Sequence, residues 1–268
     1  YGVVGMDLGH FAEAESYYQQ ALDLAHETGW RFAEMYILSN LGGTRFETGD
    51  FEGGREALTR ALHIAEETGD KRTQGNSLDT LGLIAHYQGH FAQALAYYDR
   101  AAAILGAIEN KRESGYVLTH AGYTAIELGR FDRARVALNE ALQLRHELDA
   151  EALSMDTLAG LALLAMNQEQ LDEATAIVAT IRAYIRENGP EGIELPILVH
   201  LIAYRVLDKA SREDASLLNH AQEFLDDGHA LLEKRLQRLP DEETCRRFLH
   251  NLPYNHELRQ LWLAQQNG

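Results

Sequence analysis

Histidine is the residue type in this chain most able to bind a metal or act as a general base, and twelve are present. His86 and His90 stand four residues apart, but Gly89 would break a helix that brought both rings to one face. His220 lies three residues before Glu223, yet no H-E-x-x-H motif occurs in the sequence. The histidines therefore predict no zinc site and no metal cofactor.

Nucleophilic chemistry is equally poorly supported. Cys245 lies beside Arg246 and Arg247, whose charges could lower the pKa of its thiol, but no partner base is identifiable. No G-x-S-x-G elbow or phosphate-binding glycine loop occurs, and the glycine pairs at 42–43 and 53–54 lie within helical patterns. We expect no catalytic residue and no cofactor, and hence a protein that is not an enzyme.

Charge and composition exclude further classes. The chain has 41 acidic against 24 basic residues, a formal charge of −17, and no basic run, so we expect no binding to nucleic acid. A single cysteine excludes an internal disulfide and fits a reducing compartment, so the predicted location is cytoplasmic. No stretch approaches the roughly 20 apolar residues that a membrane span needs.

The elements that position these residues repeat every 40 residues. A large apolar residue recurs at this period, at Phe11, Phe51, Phe91, Phe131 and Leu171. A glycine stands two residues before it in four copies: Gly9, Gly49, Gly89 and Gly129. A fixed period of this length is typical of stacked helical repeats, which bind partners more often than they catalyse reactions.

One copy, residues 31–70, shows what a repeat contains. Apolar residues at helical spacing predict a helix over 31–47 and a second over 51–68. Gly49 and Gly69 end these helices, because glycine readily takes the left-handed conformation. Asp70 is placed to cap the next helix. Each repeat is therefore predicted to be a helical hairpin.

Small residues recur where two helices must cross closely, because a larger side chain would hold them apart. One set lies in the first helices, at Gly42, Gly82, Gly122 and Ala162, and another in the second helices, at Ala21, Ala61, Ala101 and Ala141. The turn position after Gly9, Gly49, Gly89 and Gly129 varies freely, holding His10, Asp50, His90 and Arg130. Such variation is typical of an exposed turn.

The pattern divides the chain into three parts. Residues 1–190 hold five repeats, 191–239 a degenerate sixth helical pair, and 240–268 the C-terminal capping helices. Tyr1-Gly2 aligns with Leu41-Gly42 in the middle of a helix. We therefore expect the first repeat to be truncated and the chain to be a fragment of a longer parent protein.

The repeat resembles the tetratricopeptide repeat (TPR), whose signature combines W-x2-L-G-x2-Y with a later G-x-Y/F-x2-A. The matching residues are Leu41-Gly42, Gly49-Asp50-Phe51, Leu58 and Ala61, and in the next copy Leu81-Gly82, Gly89-His90-Phe91, Ala94, Tyr98 and Ala101. Leucine replaces the signature tryptophan, and the period is 40 rather than about 34. The long-repeat subclass that this is similar to includes spindle-orientation adaptors, kinesin light chains and the sensor arms of bacterial STAND-type signal-transduction ATPases.

The resemblance implies an all-α, right-handed α-solenoid in which the first helix of each pair lines a concave groove. Carried onto this sequence, the ligand-reading positions are Tyr36, Asn40, Asn76, Asp79, Thr80, His86, Tyr87, Tyr116, His120 and Tyr123. Asn40 matches an asparagine that bonds a peptide backbone in long-repeat relatives, but Thr80 and His120 replace it in later copies. The basic clamp of chaperone-binding relatives is absent. For Tyr87 and Tyr123, ligand contact and packing between helices both remain open.

These observations favour a non-catalytic recognition module that binds a protein or peptide, as the sensor or scaffold arm of a larger bacterial signalling ATPase. Its other expected partners are neighbouring domains of the parent chain. Three alternatives remain: a stand-alone adaptor, a peptide-pheromone receptor, and a solenoid that self-associates through its exposed ends.

Overall fold

The computed structural model describes residues 11–266, and every regular element in that range is helical. Its thirteen α-helices are α1 Phe11–Thr28, α2 Arg31–Glu47, α3 Phe51–Thr68, α4 Lys71–Tyr87, α5 Phe91–Ala107, α6 Lys111–Glu127, α7 Phe131–Glu147, α8 Glu151–Asn167, α9 Leu171–Asn188, α10 Pro196–Ala210, α11 Leu218–Leu236, α12 Glu242–Asn251 and α13 Pro253–Gln266. A short 3-10 turn, Ala215–Leu217, precedes α11. Gly9, His10 and the expected truncated helix at residue 1 lie outside the described residues. The all-α solenoid expected from the repeat is confirmed.

The turns between helices follow the predicted chemistry. Gly49 and Gly69 take φ values of 77° and 76°, in the left-handed region that glycine adopts without strain. Asp70 caps α4, because its Oδ1 accepts a hydrogen bond from the Thr73 backbone N–H at 2.8 Å. The helix boundaries of the hairpin 31–68 therefore fall where these local signals place them.

Glycine allows the two helices of a pair to touch in the pairs that contain Gly42 and Gly82. A Cβ atom at Gly42 would lie 2.5 Å from Leu58 Cγ, and one at Gly82 would lie 2.4 Å from Tyr98 Cε1. Both distances are far below van der Waals contact, so no side chain fits at either crossing. The steric reason inferred for these small positions is confirmed.

The first helices of successive pairs form an inner layer. Contacts run from α2 to α4, from α4 to α6, from α6 to α8 and from α8 to α10, and each of these helices also packs on the helix that follows it. A continuous apolar core extends from Phe46 to Leu258, and a smaller one around Met35 and Ala61 joins the first three helices. None of the helices in residues 11–266 combines the length and apolar content that crossing a membrane requires.

The C-terminal helices close the superhelix on itself. α13 packs on α10 and α11, while α12 reaches the turn between α2 and α3. The Asn251 side-chain amide donates to the Gly49 carbonyl at 2.8 Å, and a Cβ atom at Gly49 would lie 2.6 Å from the Arg247 carbonyl oxygen. We call this contact of Gly49 with Arg247 and Asn251 the clasp. It joins parts of the chain that are 202 residues apart.

Candidate functional site

The expected groove positions form two rows along the inner layer, with 40 residues between neighbours. The first row is Tyr36, Asn76 and Tyr116, and the second row is Asn40, Thr80 and His120, on α2, α4 and α6 in each case. Tyr36 is 49% exposed, whereas Tyr116 is 4% and His120 2% exposed. Both rows therefore begin at the surface and end inside the protein.

The exposed end of the rows offers unused hydrogen-bonding groups. Asn40 is exposed and Asn76 half-buried, and neither side-chain amide makes a hydrogen bond within the described part of the chain. The Thr80 hydroxyl donates to the Asn76 carbonyl at 3.2 Å, and the Tyr36 hydroxyl donates to Asp70 Oδ2 at 2.9 Å. Two free amides on adjacent rigid helices are suited to binding a partner's backbone or polar side chains.

The buried end is organised around His120. Its Nδ1 donates to Asp79 Oδ1 at 2.9 Å, and its Nε2 lies 3.4 Å from Glu194 Oε1. Burial alone would lower the pKa of His120, but the charges of Asp79 and Glu194 and the hydrogen bond to Asp79 outweigh it and raise the pKa to about 10. His120 is therefore a buried cation between two carboxylates at neutral pH.

Glu194 reaches His120 because Asp156 holds the loop that carries it. The backbone N–H groups of Glu194 and Leu195 donate to the two Asp156 carboxylate oxygens at 2.8 and 2.9 Å. Burial, together with the charge of Glu194, raises the pKa of Asp156 to about 7. The Tyr123 hydroxyl donates to the Asp156 carbonyl at 2.7 Å. The loop between α9 and α10 thus covers the closed end of both rows.

Asp156 and Glu194 were not among the residues expected from the sequence. The repeat spacing could have identified Asp156, since it continues the first row 40 residues after Tyr116. Glu194 lies in the irregular loop where the repeat signature has faded, so no spacing points to it.

His86 and Tyr87 lie at the end of α4, beneath the C-terminal helices. The His86 Nδ1 and the Thr124 Oγ1 are 2.8 Å apart. The Thr124 hydroxyl donates its proton to the His120 carbonyl, so it accepts in this second bond and the His86 Nδ1–H is the donor. Burial and the nearby charge of His120 lower the pKa of His86 to about 4, so its ring is neutral. The Tyr87 ring lies 5.9 Å from that of Phe46 and 5.6 Å from that of Tyr254. Tyr87 therefore packs between the inner layer and α13.

Tyr116 carries a second buried cation on its ring. Arg145 on α7 is 1% exposed, and its Cζ lies 4.2 Å from the Tyr116 ring centroid. It also donates to the Arg112 carbonyl at 3.4 Å. In the preceding repeat this position is Leu105, which is fully buried. An arginine thus occupies a core position that is apolar in the other repeats, where it is held by Ala65, Leu105 and Ile185.

The candidate metal ligands and the single cysteine can be examined directly in the described part of the chain. No three His, Cys, Asp or Glu side chains in residues 11–266 are grouped so that they could hold a metal ion. Burial, and then the charges of Asp241 and Glu242, raise the pKa of the Cys245 thiol. The activation that its neighbouring arginines suggested is therefore wrong, because these acids and burial outweigh them.

The stacked hairpins and their inner face define a class of protein, the TPR-type helical-repeat solenoid. Within that class the chain belongs to the family of the MalT-like TPR region, whose model matches residues 2–224. MalT is a STAND ATPase, and TPR-like repeat families are generally non-catalytic scaffolds.

Solved structures share the fold at low sequence identity. The BtubC protein (BKLC) from P. vanneervenii superposes with a TM-score of 0.62 at 18% identity, covering 82% of this chain and 91% of that one. A Rap protein complexed with Competence and Sporulation Factor gives 0.56 at 14% identity, covering 87% and 77% respectively. No curated protein matches the chain in sequence.

Proposed function

We propose that this chain is a non-catalytic recognition module that binds a protein or peptide partner along the exposed end of its inner face. In this proposal it is the sensor or scaffold arm of a larger bacterial signalling ATPase in the cytoplasm. The observation that carries the proposal is the pair of unengaged amides, Asn40 and Asn76, on rigid adjacent helices. Membership of the MalT-like TPR family supports the signalling context.

The two ends of the rows have different roles in this proposal. The exposed end, with Tyr36, Asn40, Asn76 and Thr80, contacts the partner. The buried end fixes the relative positions of α4, α6 and the loop before α10 through the hydrogen bond of His120 to Asp79 and its ion pair with Glu194. A partner that bridges α2 and α4 changes the pitch of the superhelix, and this change reaches a neighbouring domain of the parent chain.

The test is a selection of binding peptides from a random display library, followed by fluorescence anisotropy with purified variants. Asn40→Ala and Asn76→Ala remove exposed or half-buried amides and leave the core intact, and we expect each to weaken binding about tenfold. Asn139→Ala is the matched control, because Asn139 is exposed on α7, outside the inner layer. The proposal fails if no peptide is selected, or if all three variants bind alike.

Self-association is a second candidate, favoured by apolar side chains exposed near the N-terminal end. Tyr17, Leu24 and Trp30 are 67, 60 and 64% exposed. Large exposed apolar patches commonly mark interaction surfaces. Light scattering across a concentration series distinguishes the candidates: a mass that rises with concentration supports self-association, and a constant monomer mass rejects it.

A further inference from the structure

A cavity of about 320 Å³ lies inside the superhelix, between α4, α5, α6, α8, α10 and α13. Its lining is mainly aromatic and aliphatic, and four tyrosines contribute to it: Tyr87, Tyr98, Tyr123 and Tyr254. The exposed residue Glu127 and the half-exposed pair Arg205 and Glu257 mark its mouth. The volume is at the small end of the range typical of ligand sites, about 300 to 1,000 Å³.

Two side chains that line this cavity hold polar atoms without a hydrogen-bond partner. Tyr98 is 1% exposed and its hydroxyl makes no hydrogen bond. His120 is 2% exposed, and its Nε2 lies 3.4 Å from Glu194 Oε1 as an ion pair without forming a hydrogen bond. Their ring centroids are 6.0 Å apart. Buried polar groups are nearly always satisfied, since an unmade hydrogen bond costs roughly 1–3 kcal/mol. The Tyr98 hydroxyl, next to an Nε2 whose contact with Glu194 is not a hydrogen bond, therefore indicates a missing partner.

Both groups are available as donors. His120 donates its Nδ1–H to Asp79 and is protonated on both ring nitrogens, since its pKa is raised to about 10. Its Nε2 consequently carries an N–H, and the Tyr98 phenol carries an O–H. The group that satisfies both is an acceptor oxygen.

The charges around the cavity decide which acceptor is suitable. Glu127 and Glu257 line it with a single arginine, Arg205, which is already paired to Glu257 with an Nε–Oε1 distance of 2.7 Å. Asp79 and Glu194 flank His120. A carboxylate or phosphate would meet this excess of negative charge, whereas a neutral carbonyl oxygen would not.

We propose that the cavity binds a neutral, mainly apolar compound through a carbonyl oxygen that accepts hydrogen bonds from Tyr98 and His120, as the amide of an aromatic amino acid would. The site is separate from the exposed ends of the two rows. It goes beyond the proposed partner binding, and either can fail without the other.

Three probes with one side chain and different charges test the ligand class by isothermal titration calorimetry. They are N-acetyl-L-phenylalaninamide, which is neutral, N-acetyl-L-phenylalanine, an anion, and L-phenylalaninamide, a cation. We expect saturable binding of the neutral probe, and binding at least about tenfold weaker for both charged probes. Tighter binding of either charged probe, or no saturable binding of the neutral one, overturns the proposal.

Tyr98→Phe tests the hydroxyl directly. Because that hydroxyl has no partner in the free protein, the variant should unfold at the same or a higher temperature while binding the neutral probe about tenfold more weakly. Tyr97→Phe is the control, since Tyr97 lies on the same helix and does not line the cavity. A Tyr98→Phe variant that binds like the wild type, or that unfolds at a clearly lower temperature, contradicts the inference.

A second variant tests the space independently of the hydrogen bonds. Leu198 is a half-buried residue of the lining, and Leu198→Phe places a larger ring in the cavity. We expect it to abolish binding of the neutral probe and to leave the peptide binding of the exposed rows unchanged. If this variant binds the neutral probe as the wild type does, the probe does not bind in the cavity and the proposal is wrong.

Discussion

At the scale of single residues, His120 is a cation enclosed between Asp79 and Glu194 inside a strongly acidic chain. Removing one member of a buried ion pair leaves the other charge uncompensated, which typically costs about 3–5 kcal/mol. The contacts of His120 with Asp79 and Glu194 also hold three elements together: α4, α6 and the loop before α10. The same residue is thus a structural tie and, in our inference, a ligand contact.

His120→Gln should therefore lower the free energy of unfolding by about 3 kcal/mol at neutral pH. The pKa of His120 is raised from 6.5 to about 10 by folding, so the folded state retains a proton that the unfolded state loses within that range. Its stabilising contribution is complete below about pH 6.5 and is lost as pH rises towards 10. Urea unfolding at several pH values should show the difference between wild type and variant narrowing as pH rises.

The exposed turn residue His90 provides the control, and His90→Gln should match the wild type throughout. A difference for His120→Gln that stays constant across this range would mean that the ring is neutral in the folded protein.

Replacing the buried cation Arg145 by leucine, unlike replacing His120, is not expected to destabilise the protein. Its guanidinium is buried on the Tyr116 ring, and no carboxylate within the described residues forms an ion pair with it. Arg145→Leu restores the residue type found at Leu105, and we expect it to be neutral or to stabilise by about 1–2 kcal/mol. Arg145→Ala leaves a void and should destabilise by about 3 kcal/mol. Thermal and urea unfolding measure both, and a large loss for the leucine variant would show an essential interaction of the charge.

The sequence predicted the alignment of the two rows but not their burial. Tyr36 and Tyr116 are the same residue type at the same repeat position, yet one is exposed and the other is covered. Arg145 covers the Tyr116 ring, and Glu194 reaches the buried end of the rows at His120 from a loop that lies outside the repeat period. Spacing within a repeat carries no information about a segment that has left the repeat.

At the scale of the helical hairpin, some turns have a non-glycine residue at a position where the backbone conformation favours glycine. Gly69 has a φ of 76°, but Glu109 and Asp149 replace it in the next two repeats with φ of 53° and 50°. A non-glycine residue in the left-handed region costs roughly 1–2 kcal/mol. The turns after α5 and α7 are therefore strained relative to the turn after α3.

Glu109→Gly should raise the free energy of unfolding by about 1 kcal/mol, because it relieves this strain at an exposed position. Gly69→Ala introduces the same strain and should lower the free energy of unfolding by a similar amount. Urea unfolding of both variants tests the pair, and changes of the same sign would contradict the explanation.

Helix boundaries were the most predictable feature at this scale. The ranges 31–47 and 51–68 follow from apolar spacing, glycine and a capping aspartate, all of which act within a few residues. The contact between the C-terminal helices and the α2–α3 turn has no comparable signal in the neighbouring sequence. Nothing near Gly49 or Asn251 in the sequence indicates that they meet.

At the scale of the whole molecule, the clasp distinguishes this solenoid from an open array. Gly49 and Gly89 have the same φ of 77°, but only Gly49 is in contact with backbone atoms, those of Arg247 and Phe248. A substitution at either turn incurs the same backbone strain. A substitution at Gly49 also forces α12 away.

Gly49→Ala should therefore destabilise the protein more than Gly89→Ala, whose cost is about 1 kcal/mol. Amide hydrogen exchange should rise across α12 in the first variant and remain unchanged there in the second. Asn251→Ala should give a similar but smaller increase in exchange. Equal exchange in the two glycine variants would show that the clasp does not hold α12 in solution.

The clasp also sets how the molecule responds to force. An open stack of helical hairpins lengthens gradually when it is pulled, as a spring does, because each pair touches only its neighbours. Here the hydrogen bond between Asn251 and Gly49 spans 202 residues and ties the final helices to the α2–α3 turn. Pulled between those two points, the protein should resist extension until this tie ruptures in one step, and only then stretch as a soft coil.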